Sequence, residues 1–535
     1  MGSRGRERIG RDGPEHRSRV GALRHRIRRT IGLAVVTGLA GCSVSGPGGA
    51  GGGAVSPGGG EGAERAGVDR AAGFDRGAPP SVGSPPSMRV LEREVFELSN
   101  GLPVHVVEDH DLPMVSVELH VAGGGRVGTP GLGPLLADML DEGTTTRSAV
   151  ELAEAIERIG ASLSTGADHD GSVIRLGVLR PHLERALELL GDVVRNPAFD
   201  EAELDRVKRQ RVTRILQSRD EPRELADNAL ADRLYQPGSS YGQPLLGTEA
   251  ALRPVDRGDL VALYERTFGA DNMSVVVVGD VDRDELEERL EGALGSLPAA
   301  AAVDFARQVP RALDGPAIYV VDKPGAPQSE IRIGRVAVAR GTPDYFPLMV
   351  MNTILGGSFT SRLNANLRED KGYTYGAGSG FSMRREPGPF VAAAAVNTSV
   401  TDKAVVEFLR ELRRLADEPV GEVELDRARK YLALRLPQRF ETVAGTAAQV
   451  ADQVLNDLGD DYHERYVERV LAVTAGDVRR VAREYLDPDE MVVVVAGDHA
   501  AIRGGLEELG WGAVTLIPEP TVTDAPPGPD RSGSD

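Results

Sequence analysis

Met273-Ser274-Val275-Val276-Val277-Val278-Gly279-Asp280 returns later in the chain as Met491-Val492-Val493-Val494-Val495-Ala496-Gly497-Asp498. Each is a short apolar run closed by Gly-Asp, the pattern of a buried strand ending in a turn. The two Gly-Asp pairs lie 218 residues apart, and the same offset relates Met273 to Met491 and Asp259 to Asp477 in the amphipathic segments just upstream. Three landmarks on one offset weigh against two generic helix–strand units and predict an internal repeat. Around the first copy, Asn100-Gly101 between apolar runs is a strong hairpin signal, and Val115–Val121 alternates as a half-buried strand. Helical spacing follows at 132–141, 148–159, 181–195 and 200–217. Around the second copy, strands at 318–321 and 330–338 precede a helix at 344–355. The pattern predicts an α+β protein of two homologous α/β-sandwich halves, each a sheet with helices on one face. The expected boundaries are 88–297 and 317–516, with the Ala-rich stretch 298–316 as linker.

Composition sets the context. The chain has 535 residues and a net charge of −19, from 62 Lys+Arg against 81 Asp+Glu. That balance argues against a sequence-independent nucleic-acid binder, which needs a basic face. One cysteine excludes a disulfide framework and any thiolate metal cluster within the chain. The charge is unevenly spread: residues 1–42 hold ten Arg and three acids, a local +7, so the rest carries −26. Arg24–Arg29 is a basic flank, Ile31–Gly41 an eleven-residue apolar run, and Leu39-Ala40-Gly41-Cys42 ends it with small residues before the lone cysteine. The run is too short to span a bilayer and has the length of a signal-peptide core. It resembles the lipobox of bacterial lipoproteins, which implies acylation of Cys42 and attachment on the periplasmic side of a membrane. Ser43 after the cysteine, with no Asp there, points by analogy to the outer membrane. Residues 43–87 are Gly/Ser/Pro-rich and read as a disordered tether, and 517–535 as a disordered tail.

Two segments carry a family pattern. Gly131-Leu132-Gly133-Pro134-Leu135-Leu136-Ala137-Asp138-Met139-Leu140-Asp141-Glu142-Gly143-Thr144 resembles the active-site helix of the pitrilysin/insulinase-type (inverzincin) zinc metallopeptidases, G-x-x-H-x-x-E-H-M-x-x-x-G-T. Leu355-Gly356-Gly357-Ser358-Phe359-Thr360-Ser361-Arg362-Leu363, continued by Leu367-Arg368-Glu369-Asp370-Lys371-Gly372-Tyr373-Thr374-Tyr375, is similar to that family's second-half signature. Tyr241-Gly242-Gln243-Pro244 and Leu246-Gly247-Thr248 are lesser echoes. The resemblance covers essentially all of 92–500.

The chemistry departs where it matters. In H-x-x-E-H two His bind zinc and the Glu is general base. Those places here are Pro134, Ala137 and Asp138, of which only Asp138 has an oxygen donor. The family's third ligand is a downstream helical Glu, but Val207–Ser218 contains no acid, and Thr213 and Arg214 stand about where it would fall. Catalytic zinc usually needs three protein ligands. Four other histidines, His105, His110, His120 and His169, share this half, and Asp109-His110-Asp111 is a local cluster. Their scatter through apparent strands and a turn nominates no metal residues.

The second signature is intact. In two-subunit relatives one subunit carries the zinc motif and the other an Arg and a Tyr that reach the substrate; Arg368 and Tyr375 fall on those positions. A guanidinium and a phenol can both donate to a peptide carbonyl. Alternatively, Arg368 pairs with a carboxylate and Tyr375 packs in a strand. Gly356-Gly357 reads either as a helix C-terminus or as a substrate-contacting glycine loop. The peptidase resemblance implies a noncatalytic subunit with no catalytic residue or cofactor of its own, and the lipobox resemblance implies that it is lipid-anchored. Its partner would be a homologous zinc-bearing peptidase subunit and its ligand a peptide. The alternative is a structural or peptide-binding scaffold with no proteolytic role, and a third reading is an active peptidase with an unrecognised metal site.

Overall fold

A computed structural model describes residues 92–300, 303, 305 and 307–518. Cys42, the leader 1–42 and the segment 43–87 lie outside the described residues, as does the tail beyond Pro518. The first half contains β1 (Glu94–Glu97), β2 (Pro103–Glu108), β3 (Met114–Ala122), β4 (Ser162–Ala167), β5 (Gly171–Leu179) and β6 (Met273–Gly279). The second contains β7 (Ala317–Asp322), β8 (Gln328–Val336), β9 (Thr374–Phe381), β10 (Pro389–Asn397), β11 (Val492–Gly497) and β12 (Ala513–Ile517). They form two six-stranded sheets in the orders β1-β2-β6-β3-β5-β4 and β12-β7-β11-β8-β10-β9. Five strands correspond one to one: β6 runs parallel to β2 and antiparallel to β3, as β11 does to β7 and β8. The α+β architecture of two homologous halves is therefore present as the duplication predicts. The sixth strands differ in origin. β1 arrives through the Asn100-Gly101 hairpin and is antiparallel to β2, whereas β12 comes from the end of the second half and is parallel to β7.

The repeated landmarks have local physical causes. Asp256 and Asp259 form a capping box on helix Arg257–Thr267, and Thr474 and Asp477 form the same box on helix Ala475–Tyr485. Each helix delivers the chain to the central valine strand. Gly279 then ends the first copy at φ 133° where a Cβ would stand 2.1 Å from the Met114 carbonyl oxygen. A side chain there would collide with the neighbouring strand, which is why the run closes on glycine.

One expectation needs correction. Helices cover more than one face of each sheet, and the second covering is exchanged between halves. Helix Pro222–Leu234, from the first half, packs Leu225, Ala226, Ala229, Leu230 and Leu234 on Val321, Val492, Val494 and Ala496 of the second sheet. Helix Val443–Leu455 packs Val443, Ala447, Val450 and Ala451 on Val107, Val276 and Val278 of the first. Both central strands are thereby buried on both faces, so they are continuously apolar rather than alternating. Three boundaries also move: β8 begins at Gln328 and ends at Val336, and β12 runs to Ile517.

A polar network ties the halves together at the linker. The buried Arg126 guanidinium pairs with Asp170 and Glu386, the Tyr241 hydroxyl donates to Asp170, and Glu386 accepts from the Gln308 backbone at 2.8 Å. Arg384 lies 4.5 Å over the Tyr241 ring. The Tyr241 echo thus belongs to the joint between the halves.

Candidate functional site

The first signature forms helix Leu132–Met139, entered through Gly131 in the left-handed region. Pro134 and Ala137 are buried and have no side-chain donor atom, while Asp138 is 40% exposed. Helix Glu201–Ser218 packs beside it, with Leu204, Val207, Arg211 and Ile215 buried. Arg211, rather than Thr213 or Arg214, reaches the motif: its Nη2 donates to Asp138 Oδ2 at 2.5 Å, and its side chain is only 5% exposed. Arg206, one turn earlier, pairs with Glu142. Asp141 lies in the same corner, and burial followed by the charges of Glu142 and Asp138 pushes its carboxyl up to about 6. The closing Gly143-Thr144 has a packing role, since Thr144 Oγ1 donates to the buried Asp192 at 2.8 Å. These residues do not fit a zinc ion. Two of the three motif positions offer no ligand atom, and a permanent cation already holds the third.

The other histidines stand at separate places. His120 Nε2 lies 3.0 Å from Glu118 Oε2 on β3, and His110 Nδ1 lies 2.7 Å from Asp280. Burial and Arg93 lower His105 to about 4; burial and Arg384 lower His169 to about 3. Among the described residues no three His, Cys, Asp or Glu side chains converge as a metal-binding group.

In the second signature the side chains divide by task. Leu363 and Leu367 enter the core of the second half. Arg362 forms a fork with Glu424 at 2.9 and 2.7 Å, and Asn366 donates to Glu407 and Glu411. Asn364 joins two segments, donating to the Phe359 carbonyl at 2.6 Å and accepting from the Ala377 backbone at 3.3 Å. Gly356 ends helix Tyr345–Leu355, and a Cβ on it would stand 2.3 Å from the Ser379 nitrogen. The helix-terminus reading of Gly356-Gly357 accounts for this geometry.

Tyr375 is outward, and Arg368 is half-buried. Residues Ala365–Asp370 form a single π-helical turn, a rare form that often marks functional sites. It carries Arg368, whose guanidinium carbon lies 4.3 Å from the Phe359 ring centroid and whose Nε is 3.5 Å from Glu369. Among the described residues, the expected alternative of a carboxylate partner is met by this long contact to the neighbouring residue. The chain then turns, with Tyr373 N–H bonded to the Leu367 carbonyl, into the edge strand β9. There Ala377 pairs with Ala394 and Thr374 with Val396, so Tyr375 and Gly376 together face the single residue Ala395. This bulge re-aims the side chain, and Tyr375 is 93% exposed rather than packed in the strand. Phe359, also outward at 67% exposure, is a member of this surface that the spacing argument did not single out.

Comparison with known proteins agrees with this geometry. A family description termed Insulinase (Peptidase family M16) matches residues 104–249, and one termed Peptidase M16 inactive domain matches 254–432. The chain belongs to peptidase family M16. Within M16 it is similar to an uncharacterized zinc protease of Rickettsia bellii, 23% identical over 410 residues that cover 75% of this chain and 97% of that one. It is equally similar, at 23% over 410 residues, to the non-peptidase homolog YmxG of Helicobacter pylori, covering 74% and 92%. The crystal structure of a peptidase M16 inactive domain from Pseudomonas fluorescens superposes with a TM-score of 0.71 at 27% identity, over 76% of this chain and 98% of that one. This M16 chain thus has relatives named on both sides of the catalytic divide, and its own residues at the motif decide which side it resembles.

Proposed function

We propose that this chain is a noncatalytic, lipid-anchored subunit of a heteromeric zinc peptidase, contributing peptide binding through Arg368 and Tyr375. One observation carries the reading. The zinc motif keeps one oxygen donor, Asp138, and that is held by Arg211, while the second signature keeps a half-buried Arg on a π-helical turn and an exposed Tyr on a bulged edge strand. The edge of β9 offers unpaired backbone groups to an extended peptide, the usual geometry of strand addition. Arg368 and Tyr375 then donate to peptide carbonyls and orient the chain toward the partner's metal. The partner, a homologous subunit with H-x-x-E-H, supplies zinc and the general base. Acylation of Cys42 places the assembly on the periplasmic side, at the outer membrane, where several acyl chains on one residue hold a protein stably.

The test is reconstitution. Each subunit alone is expected to be inactive toward peptides and the mixture active. Arg368→Ala combined with Tyr375→Phe should lower kcat/KM of the pair by about 100-fold, the scale of losing a donor aimed at a reacting carbonyl. Cleavage by this chain alone, or an unchanged kcat/KM in the double variant, would refute the assignment. Peptide binding without any cleaving partner would favour the scaffold reading.

A further inference from the structure

In a metal-bearing site of this shape, the positive charge between the two helices belongs to the ion. Here a side chain supplies it. The Arg211 Nη2 sits 2.5 Å from Asp138, and Nη1 reaches the Gly131 and Leu246 carbonyls at 3.4 and 3.5 Å. One planar cation therefore bridges helix Glu201–Ser218, helix Leu132–Met139 with its entry glycine, and the Leu246 turn. Its side chain is 5% exposed, and its Nε finds no acceptor among the described residues. A buried guanidinium does not shed its proton, so the charge is permanent.

We propose that Arg211 is the resident cation of the former metal site: its guanidinium replaces the ion as the cross-link between the two helices, and its charge keeps a divalent cation out. The loss of zinc is then a substitution of one cation for another rather than a bare deletion of ligands. The inference rests on the alignment of Pro134, Ala137 and Asp138 with the zinc positions. It stands whether or not the chain pairs with a peptidase, because both tests use this protein alone.

The first test is a thermodynamic cycle. Asp138→Ala strands a buried cation, whereas Arg211→Met leaves a carboxylate that water already reaches at 40% exposure. Asp138→Ala should therefore be the costlier change, lowering Tm by roughly 5–10 °C. Adding Arg211→Met to Asp138→Ala should raise Tm again. Additive losses would overturn the cross-link. The second test restores two imidazoles. Zinc affinity, read by chelator competition, should be at least about 10-fold higher in Pro134→His/Asp138→His/Arg211→Met than in the same pair with Arg211 kept. Equal affinity in the two, or no zinc binding in either, would overturn the exclusion.

Discussion

Phe359 shows how one exposed side chain serves another. Its ring lies under the Arg368 guanidinium at 4.3 Å, and Asn364 fixes its backbone by a 2.6 Å hydrogen bond. A stacked guanidinium loses fewer rotamers on binding a carbonyl than a free one. Phe359→Ala is expected to leave stability within about 0.5 kcal/mol, since the ring is exposed, yet to raise the reconstituted pair's KM several-fold; Phe359→Tyr should restore it. An Ala variant with wild-type KM would deny the ring this role. At the same scale, Arg211 has a signature visible in the sequence. It continues the buried series Leu204, Val207, Arg211, Ile215 at helical spacing. A charge in an apolar stripe must meet a partner, but only packing identifies that partner as Asp138.

At the scale of elements, the two capping boxes are the clearest case of sequence dictating structure. Asp256→Ala and Thr474→Ala should each cost about 1 kcal/mol by urea unfolding, the usual loss of an N-cap. Lying in different halves, the two losses should add. Coupling well above a few tenths of a kcal/mol between them would contradict the view of these helices as independent repeat units. Other elements were less legible. β10, Pro389-Phe390-Val391-Ala392-Ala393-Ala394-Ala395-Val396-Asn397, is rich in alanine, which favours helix, and becomes a strand because β8 and β9 pair on either side of it. The helical runs at 132–141, 148–159, 181–195 and 200–217 are legible because each shows apolar residues at helical spacing, and Ser148 and Asp200 cap the second and fourth; the structure places helices at 132–139, 149–158, 183–195 and 201–218.

For the whole molecule, two partly buried histidines, one of them at the joint between halves, bring acid sensitivity. Burial and Arg384 hold His169 near 3, and burial and Arg93 hold His105 near 4, against 6.5 unfolded. The unfolded chain therefore takes up protons that the folded one refuses, and this contribution to stability, full above pH 6.5, is lost as pH falls toward 4. Asp141 acts oppositely: its folded value of about 6 against 3.8 favours the folded state as pH drops through that range. With two histidines against one carboxyl, the urea midpoint should fall between pH 6.5 and 4. His169→Phe, which keeps an aromatic ring against Tyr241, should flatten that fall; an unaltered pH profile would remove His169 from the account.

The sequence by itself determined the duplication, the valine strands with their Gly-Asp closures, the family pattern and the missing zinc donors, because each is written in adjacent residues or a constant offset. Tertiary structure alone decided which half covers which sheet, that Arg211 fills the metal's place, and that a bulge turns Tyr375 outward. Those outcomes depend on contacts between residues tens to hundreds of positions apart. Spacing along the chain specifies a face, whereas only packing specifies what that face meets.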